Sequence, residues 1–159
     1  DLYTKDGLLT AQGSETFWDR STLYALRGGY AAGYPDFMTE QLSYYSTRRL
    51  LGDHVPYPIE AWPEGSQRHL SAESGLYCRI ITEGMFGIRP TGMRSFELKP
   101  EIPSDWDYAN LSHVRAFGSD FDIRVKRLSG DKLRVTVAER GGREQNFTVR
   151  SGRAINVKL

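Results

Sequence analysis

The chain has 159 residues, 39% of them hydrophobic, with 21 basic and 20 acidic side chains and a formal net charge of +1. That is enough apolar material for a buried core, which excludes a disordered chain, and the near balance of charge leaves no overall field to draw in nucleic acid or an anionic membrane. Cys78 is the only cysteine, so no intramolecular disulfide forms, and no apolar run approaches the roughly 20 residues of a membrane span.

The opening stretch, DLYTKDGLLT, lacks the pattern of a signal peptide, and a start at Asp1 without methionine points to a processed product or a piece of a longer polypeptide. From about Glu15 to Ala32 the spacing of Phe17, Trp18, Tyr24, Leu26 and Tyr30 predicts a helix, with Gly28, Gly29 and Gly33 weakening its end. A second helix is capped by Asp36, carries Phe37, Gln41, Leu42, Tyr45 and Arg49 at helical spacing, and stops at Gly52 and Pro56. The segment PYPIEAWPEG, residues 56 to 65, follows. Its three prolines remove backbone donors and fix φ, so it reads as a rigid irregular loop.

A third helix is predicted from about His69 to Glu83, with Leu70, Leu76, Tyr77, Ile80 and Ile81 as its apolar stripe and Glu73 on that stripe. Beyond Pro90 the period changes from 3.6 to 2. Phe121, Ile123 and Val125 alternate with Asp122, Arg124 and Lys126; Leu133, Val135 and Val137 alternate with Arg134, Thr136 and Ala138; Phe147 and Val149, then Ile155, Val157 and Leu159, continue the pattern. Turns at Ser129-Gly130-Asp131, Gly141-Gly142 and Ser151-Gly152 predict an antiparallel meander. The expected architecture is therefore α+β, with a helical segment over 1–90 and an antiparallel β domain over 91–159. Neither part reads as complete alone.

Thirteen of the 19 aromatic residues lie before residue 91, where acidic side chains are also in excess. Aromatic faces beside carboxylates suit sugars, whose ring C–H groups rest on aromatic planes while their hydroxyls donate to carboxylates. For Tyr24, Phe37, Tyr45 and Tyr77 the plainer reading is a core stripe. Glu60 and Glu64 sit in the proline-bounded loop with Trp62, which presents them from a fixed place, as a catalytic carboxylate must be; ordinary surface glutamates fit the same pattern. Glu73, among Leu70, Leu76 and Ile80, needs a partner to be buried, for which Arg68 and His69 are the nearest candidates. That arrangement serves a structural ion pair as well as a catalytic site. His54, His69 and Cys78 lack metal-ligand spacing, so no metal and no cofactor is expected, and there is no phosphate loop, nucleophile elbow or CxxC.

The run from His54 to Trp106 resembles the end of the catalytic toroid in six-hairpin glycosidases, a group of inverting glycoside hydrolases and related phosphorylases. They are built on an (α/α)6 barrel followed by a C-terminal β-sandwich. The resemblance is carried by an acidic loop (Glu60), a histidine-bearing helix (His69), Gly87-Ile88-Arg89-Pro90, and Pro100-Glu101-Ile102-Pro103-Ser104-Asp105-Trp106. It extends over about residues 15 to 159 and is similar in layout to the α-L-rhamnosidase and α-L-fucosidase branches. There a carboxylate in the corresponding loop serves as, or polarises, the base that activates water. The fucosidase-like pattern has an asparagine two residues past that acid, and this chain has Trp62.

The resemblance implies that the chain is the C-terminal part of a glycoside hydrolase: last helices of an α/α toroid, active-site loop, then β-sandwich. Glu60 would be the base, with Glu73 and Glu64 as contenders. Tyr57, Trp62, Glu64, Arg68 and His69 would contact the carbohydrate, and the upstream part of the polypeptide would supply the general acid. The chain alone would then be inactive, and export to the periplasm or medium would follow the family's habit. A carbohydrate-binding module, a structural accessory domain and a phosphorylase are the competing readings.

Overall fold

A computed structural model of the chain describes residues 2–4, 7–51, 58–62 and 71–159. The fold is α+β with antiparallel sheets, and it divides into two compact units, Asp1–Gly84 and Met85–Leu159.

The first unit opens with a short antiparallel ladder, β1 (Tyr3–Thr4) against β2 (Gly7–Leu8). Then come β3 (Phe17–Trp18) and α1 (Asp19–Ala31). Phe17 and Trp18 were expected inside the first helix. They are instead extended, because they pair with β4 (Ala61–Trp62) in the register Phe17↔Trp62 and Trp18↔Ala61. The helix buries Leu23, Leu26 and Tyr30, whereas Tyr24 stands 47% exposed off that stripe.

The helix ends in paired capping bonds: the Tyr34 N–H donates to the Gly29 carbonyl and the Gly33 N–H to the Tyr30 carbonyl. Gly33 takes φ +89°, which only glycine adopts cheaply, so it closes the helix. Gly29 has a different use: a Cβ there would lie 2.1 Å from Met38 Sδ, so its bareness lets the second helix approach. That helix, α2 (Pro35–Arg49), starts with proline at its first position, where the missing N–H costs nothing. Asp36 is therefore not its cap. It lies in the first turn, where a carboxylate complements the helix dipole. The buried face of α2 is Leu42, Tyr45 and Arg49, and Phe37 is about half exposed.

Helix α3 (Ser71–Arg79) runs into a π-helical segment, Ile80–Met85. Its Leu76 and Ile80 are buried. Arg20 pairs with Glu73 and Arg27 with Glu83, so α1 and α3 run in the same direction. Arg49, at the end of α2, pairs with Asp19, at the start of α1, so α2 runs the opposite way.

The second unit holds two antiparallel sheets. One is β10 (Glu144–Arg150), β9 (Lys132–Glu139), β8 (Ser119–Ser129) and β7 (Tyr108–Ala116), in that order; the other is β11 (Ile155–Lys158), β6 (Ser95–Leu98) and β5 (Arg89–Gly92). Phe121, Ile123 and Val125 on β8 and Leu133, Val135 and Val137 on β9 are all buried, as their alternation requires. The sheets meet where Phe96 stacks on Phe117 and Phe121, with ring centroids 4.9 and 5.3 Å away. The meander expectation fails at its last step. After the turn at Ser151-Gly152 the chain leaves β10 and pairs β11 with β6, because Val157, opposite Phe96, and Leu159, whose N–H donates to the Arg94 carbonyl, are buried there rather than on the open edge of β10.

One side chain gathers three carbonyls of the Pro100–Trp106 turn. Arg127 donates to the carbonyls of Ile102 (3.2 Å), Pro103 (2.7 Å) and Trp106 (3.0 Å). No helix among the described residues is long and apolar enough to cross a membrane.

Candidate functional site

The start of α1 and the segment Pro58–Trp62 are built as one object. The N-terminal N–H groups of a helix lack intrahelical acceptors, and no side chain caps α1. The Glu60 carbonyl does so instead, accepting from the Asp19 N–H at 3.1 Å. In return, the Ile59 N–H points at Asp19 Oδ2 at 3.4 Å, and the β3–β4 ladder grips the two residues that follow Glu60. Pro58, Ile59 and Ala61 are buried around it. Beneath lies an ion pair between Asp19 and Arg49, 3.4 Å apart and each 2% exposed at the side chain. Tyr45 packs by this pair: burial, and then the charge of Asp19, push its phenol well above the ordinary range.

From this base two carboxylates converge on one guanidinium. Arg20, in the first turn of α1, donates from Nε to Glu73 Oε1 at 2.6 Å. Its Nη2 lies 3.5 Å from Glu60 Oε1. The bond to Glu73 is the chief reason that Arg20 holds its proton even more firmly than usual. The Glu73 side chain is wholly buried, and its Oε2 has no partner among the described residues. Glu60 is 31% exposed and Arg20 39%. An acid with solvent access therefore stands beside an acid without it, and a shared cation joins them.

No family model, curated protein or solved structure matches the chain.

The structure thus brings together the two residues expected to be catalytic, Glu60 and Glu73. Glu73 is paired with Arg20, from a helix 53 residues earlier; Arg68 and His69, the partners expected for it, fall outside the described residues. Trp62 is placed by its backbone, opposite Phe17. Tyr57, Glu64, Arg68 and His69 lie outside the described residues. Among those described, no three His, Cys, Asp or Glu side chains cluster as metal ligands.

Sequence reasoning missed Asp19, Arg20 and Arg49. For Arg49 a signal existed: it follows Leu42 and Tyr45 on the buried stripe of α2, and a cation in such a position requires a buried acid.

A separate cavity of about 90 Å³ opens between α1, α2 and the β1–β2 ladder, with Leu8, Leu26, Phe37, Met38 and Tyr45 in its walls. Neither Glu60 nor Glu73 lines it. It opens on the α1 face bearing Thr22, Ala25 and Leu26, whereas the carboxylates gather on the face bearing Arg20. The cavity is apolar and aromatic, whereas the carboxylates of Glu60 and Glu73 gather with Arg20 on the other face of α1.

Proposed function

We propose that the chain is the C-terminal part of an inverting glycoside hydrolase and that Glu60 is the base that activates water. The observation that carries this reading is the treatment of Glu60. Its backbone is fixed by the Asp19 bond and the adjoining ladder, while its carboxylate keeps partial access to solvent. A general base needs that combination, because it must meet a water molecule in a defined direction. Glu73 has the opposite environment. Wholly buried and ion-paired, it is excluded from water and serves Arg20 instead.

The resemblance of residues 54–106 to six-hairpin glycosidases supports the same reading. So does the alternating direction of α1, α2 and α3, as in successive helices of an α/α toroid, and so do the two antiparallel sheets that would form the β-sandwich. Inversion needs a second carboxyl group about 6.5–9.5 Å from the base, protonated to assist the leaving group. The upstream part of the polypeptide would supply it. The substrate class is a carbohydrate, with α-L-rhamnosides and α-L-fucosides as the first to try.

The test is Glu60→Gln in the full-length polypeptide, assayed on a panel of 4-nitrophenyl glycosides with the anomer of the first product followed by NMR. Turnover should fall by about 10²- to 10⁴-fold, the usual contribution of a positioned base, and the wild type should release the inverted anomer. Wild-type-like turnover by the variant removes Glu60 from the role. Turnover that requires inorganic phosphate identifies a phosphorylase, and glycan binding without any hydrolysis identifies a binding module.

A further inference from the structure

We propose that Arg20 and Glu73 form a positioning pair for Glu60: Glu73 anchors the guanidinium, and the guanidinium sets the direction of the Glu60 carboxylate. The inference rests on the reading of Glu60 as the base and gives its neighbours separate roles.

A wholly buried carboxylate is an expensive way to join two helices, since apolar residues of similar volume often do so at no loss. Glu73 nevertheless occupies the interior side of Arg20 at 2.6 Å. An arginine that is 39% exposed would otherwise sample several rotamers, and engaging Nε removes that freedom. With Nε committed inward, the Nη2 edge of the planar fork is left facing Glu60 at 3.5 Å. Lysine offers one charge point and cannot serve both acids in a fixed geometry.

Nor is the pair needed merely to bridge α1 and α3. Arg27 and Glu83 already tie α1 to the π-helical continuation of α3 at 2.9 Å, two helical turns further on. That second pair provides a control, for it joins α1 to the π-helical continuation of α3, and its hydrogen bonds run among Arg27, Arg79 and Glu83.

The experiment compares Arg20→Lys, Glu73→Gln, the double variant, Glu83→Gln and Glu60→Gln in the full-length polypeptide. It measures kcat and KM on the 4-nitrophenyl glycoside that the wild type cleaves fastest, with thermal melts alongside. A misdirected base should lower kcat by about 10- to 100-fold for Arg20→Lys and for Glu73→Gln. KM should stay within about threefold, and the double variant should be no worse than the poorer single, since residues acting as a unit are not additive. Glu83→Gln should match the wild type.

If Glu60→Gln is inactive while Arg20→Lys and Glu73→Gln turn over normally, the positioning pair is refuted and the base stands. If Glu60→Gln is active, both fall. A rise in KM with kcat unchanged would make Arg20 a substrate contact and overturn the proposal, as would losses that multiply in the double variant. Should Glu73→Gln fail to fold, Arg20→Lys decides, because it retains a cation beside Glu73.

Discussion

Replacing Asp19 by alanine should destabilise the first unit more than any other single change at the start of α1. Asp19 is 1% exposed and its carboxylate pairs with Arg49, itself 2% exposed, at 3.4 Å; it also faces the Ile59 N–H. Taking one partner from a buried ion pair costs about 3–5 kcal/mol, because a charge remains in a medium that solvates it poorly. At 0.05–0.15 kcal/mol per residue, a unit of this size has about 4–13 kcal/mol in all. The loss therefore removes a large share, and at the lower end most of it. The described helices all lie in this unit, so urea unfolding of the chain followed by circular dichroism at the helical band reports it selectively. The midpoint should fall with the slope unchanged. In Asp19→Ala/Arg49→Met, where the buried cation is removed together with the anion, at least about 1 kcal/mol should return. A loss below about 1 kcal/mol for Asp19→Ala would show that Arg49 finds adequate solvation elsewhere and would refute the reasoning.

Two further predictions concern other parts of the chain. The Glu83 carboxyl is held below its ordinary value of 4.5, first by the Arg79 hydrogen bond and then by charge from Arg79 and Arg27. A depressed carboxylate stabilises the fold above its unfolded pKa and loses that contribution as pH falls through the folded one, so Glu83→Gln should flatten the decline in Tm below about pH 4.5. An unchanged slope of Tm against pH would reject this. Gly87 has φ +63°, and a Cβ there would meet the Lys99 carbonyl oxygen at 2.3 Å. Backbone must then move, so Gly87→Ala should cost at least about 2 kcal/mol in chemical unfolding of the second unit, and a cost under half of that would show the turn to be pliable.

Elements whose pattern is local could be read from the residues. Helix α2 and strands β8 and β9 needed only periodicity and turn residues, and their buried faces are Leu42 and Tyr45, Phe121 to Val125, and Leu133 to Val137. Elements decided by distant partners could not. Phe17 and Trp18 have helical spacing, yet the ladder with residues 61 and 62 holds them extended. Strand β7 hid because its register shifts between Leu111 and Val114, with His113 at φ +57°, which breaks the alternation that announces a strand. Strand β6 offers just two alternating apolar residues, Phe96 and Leu98, and one of its partners, β11, lies about sixty residues away. In the candidate site, Glu60 was legible through its prolines and Glu73 through its place on an apolar stripe. Arg20 was not, since nothing near it in sequence marks a partner 53 positions away.

The pairing of β11 with β6 sets a schedule for the second unit. Strand β6 lies between β5, which directly precedes it, and β11, which begins about sixty residues later. During synthesis one edge of β6 must wait, its amides open to water or to a wrong neighbour, until Lys158 has left the ribosome. Loss of residues 155–158 would make that waiting permanent and turn an interior strand into an adhesive rim.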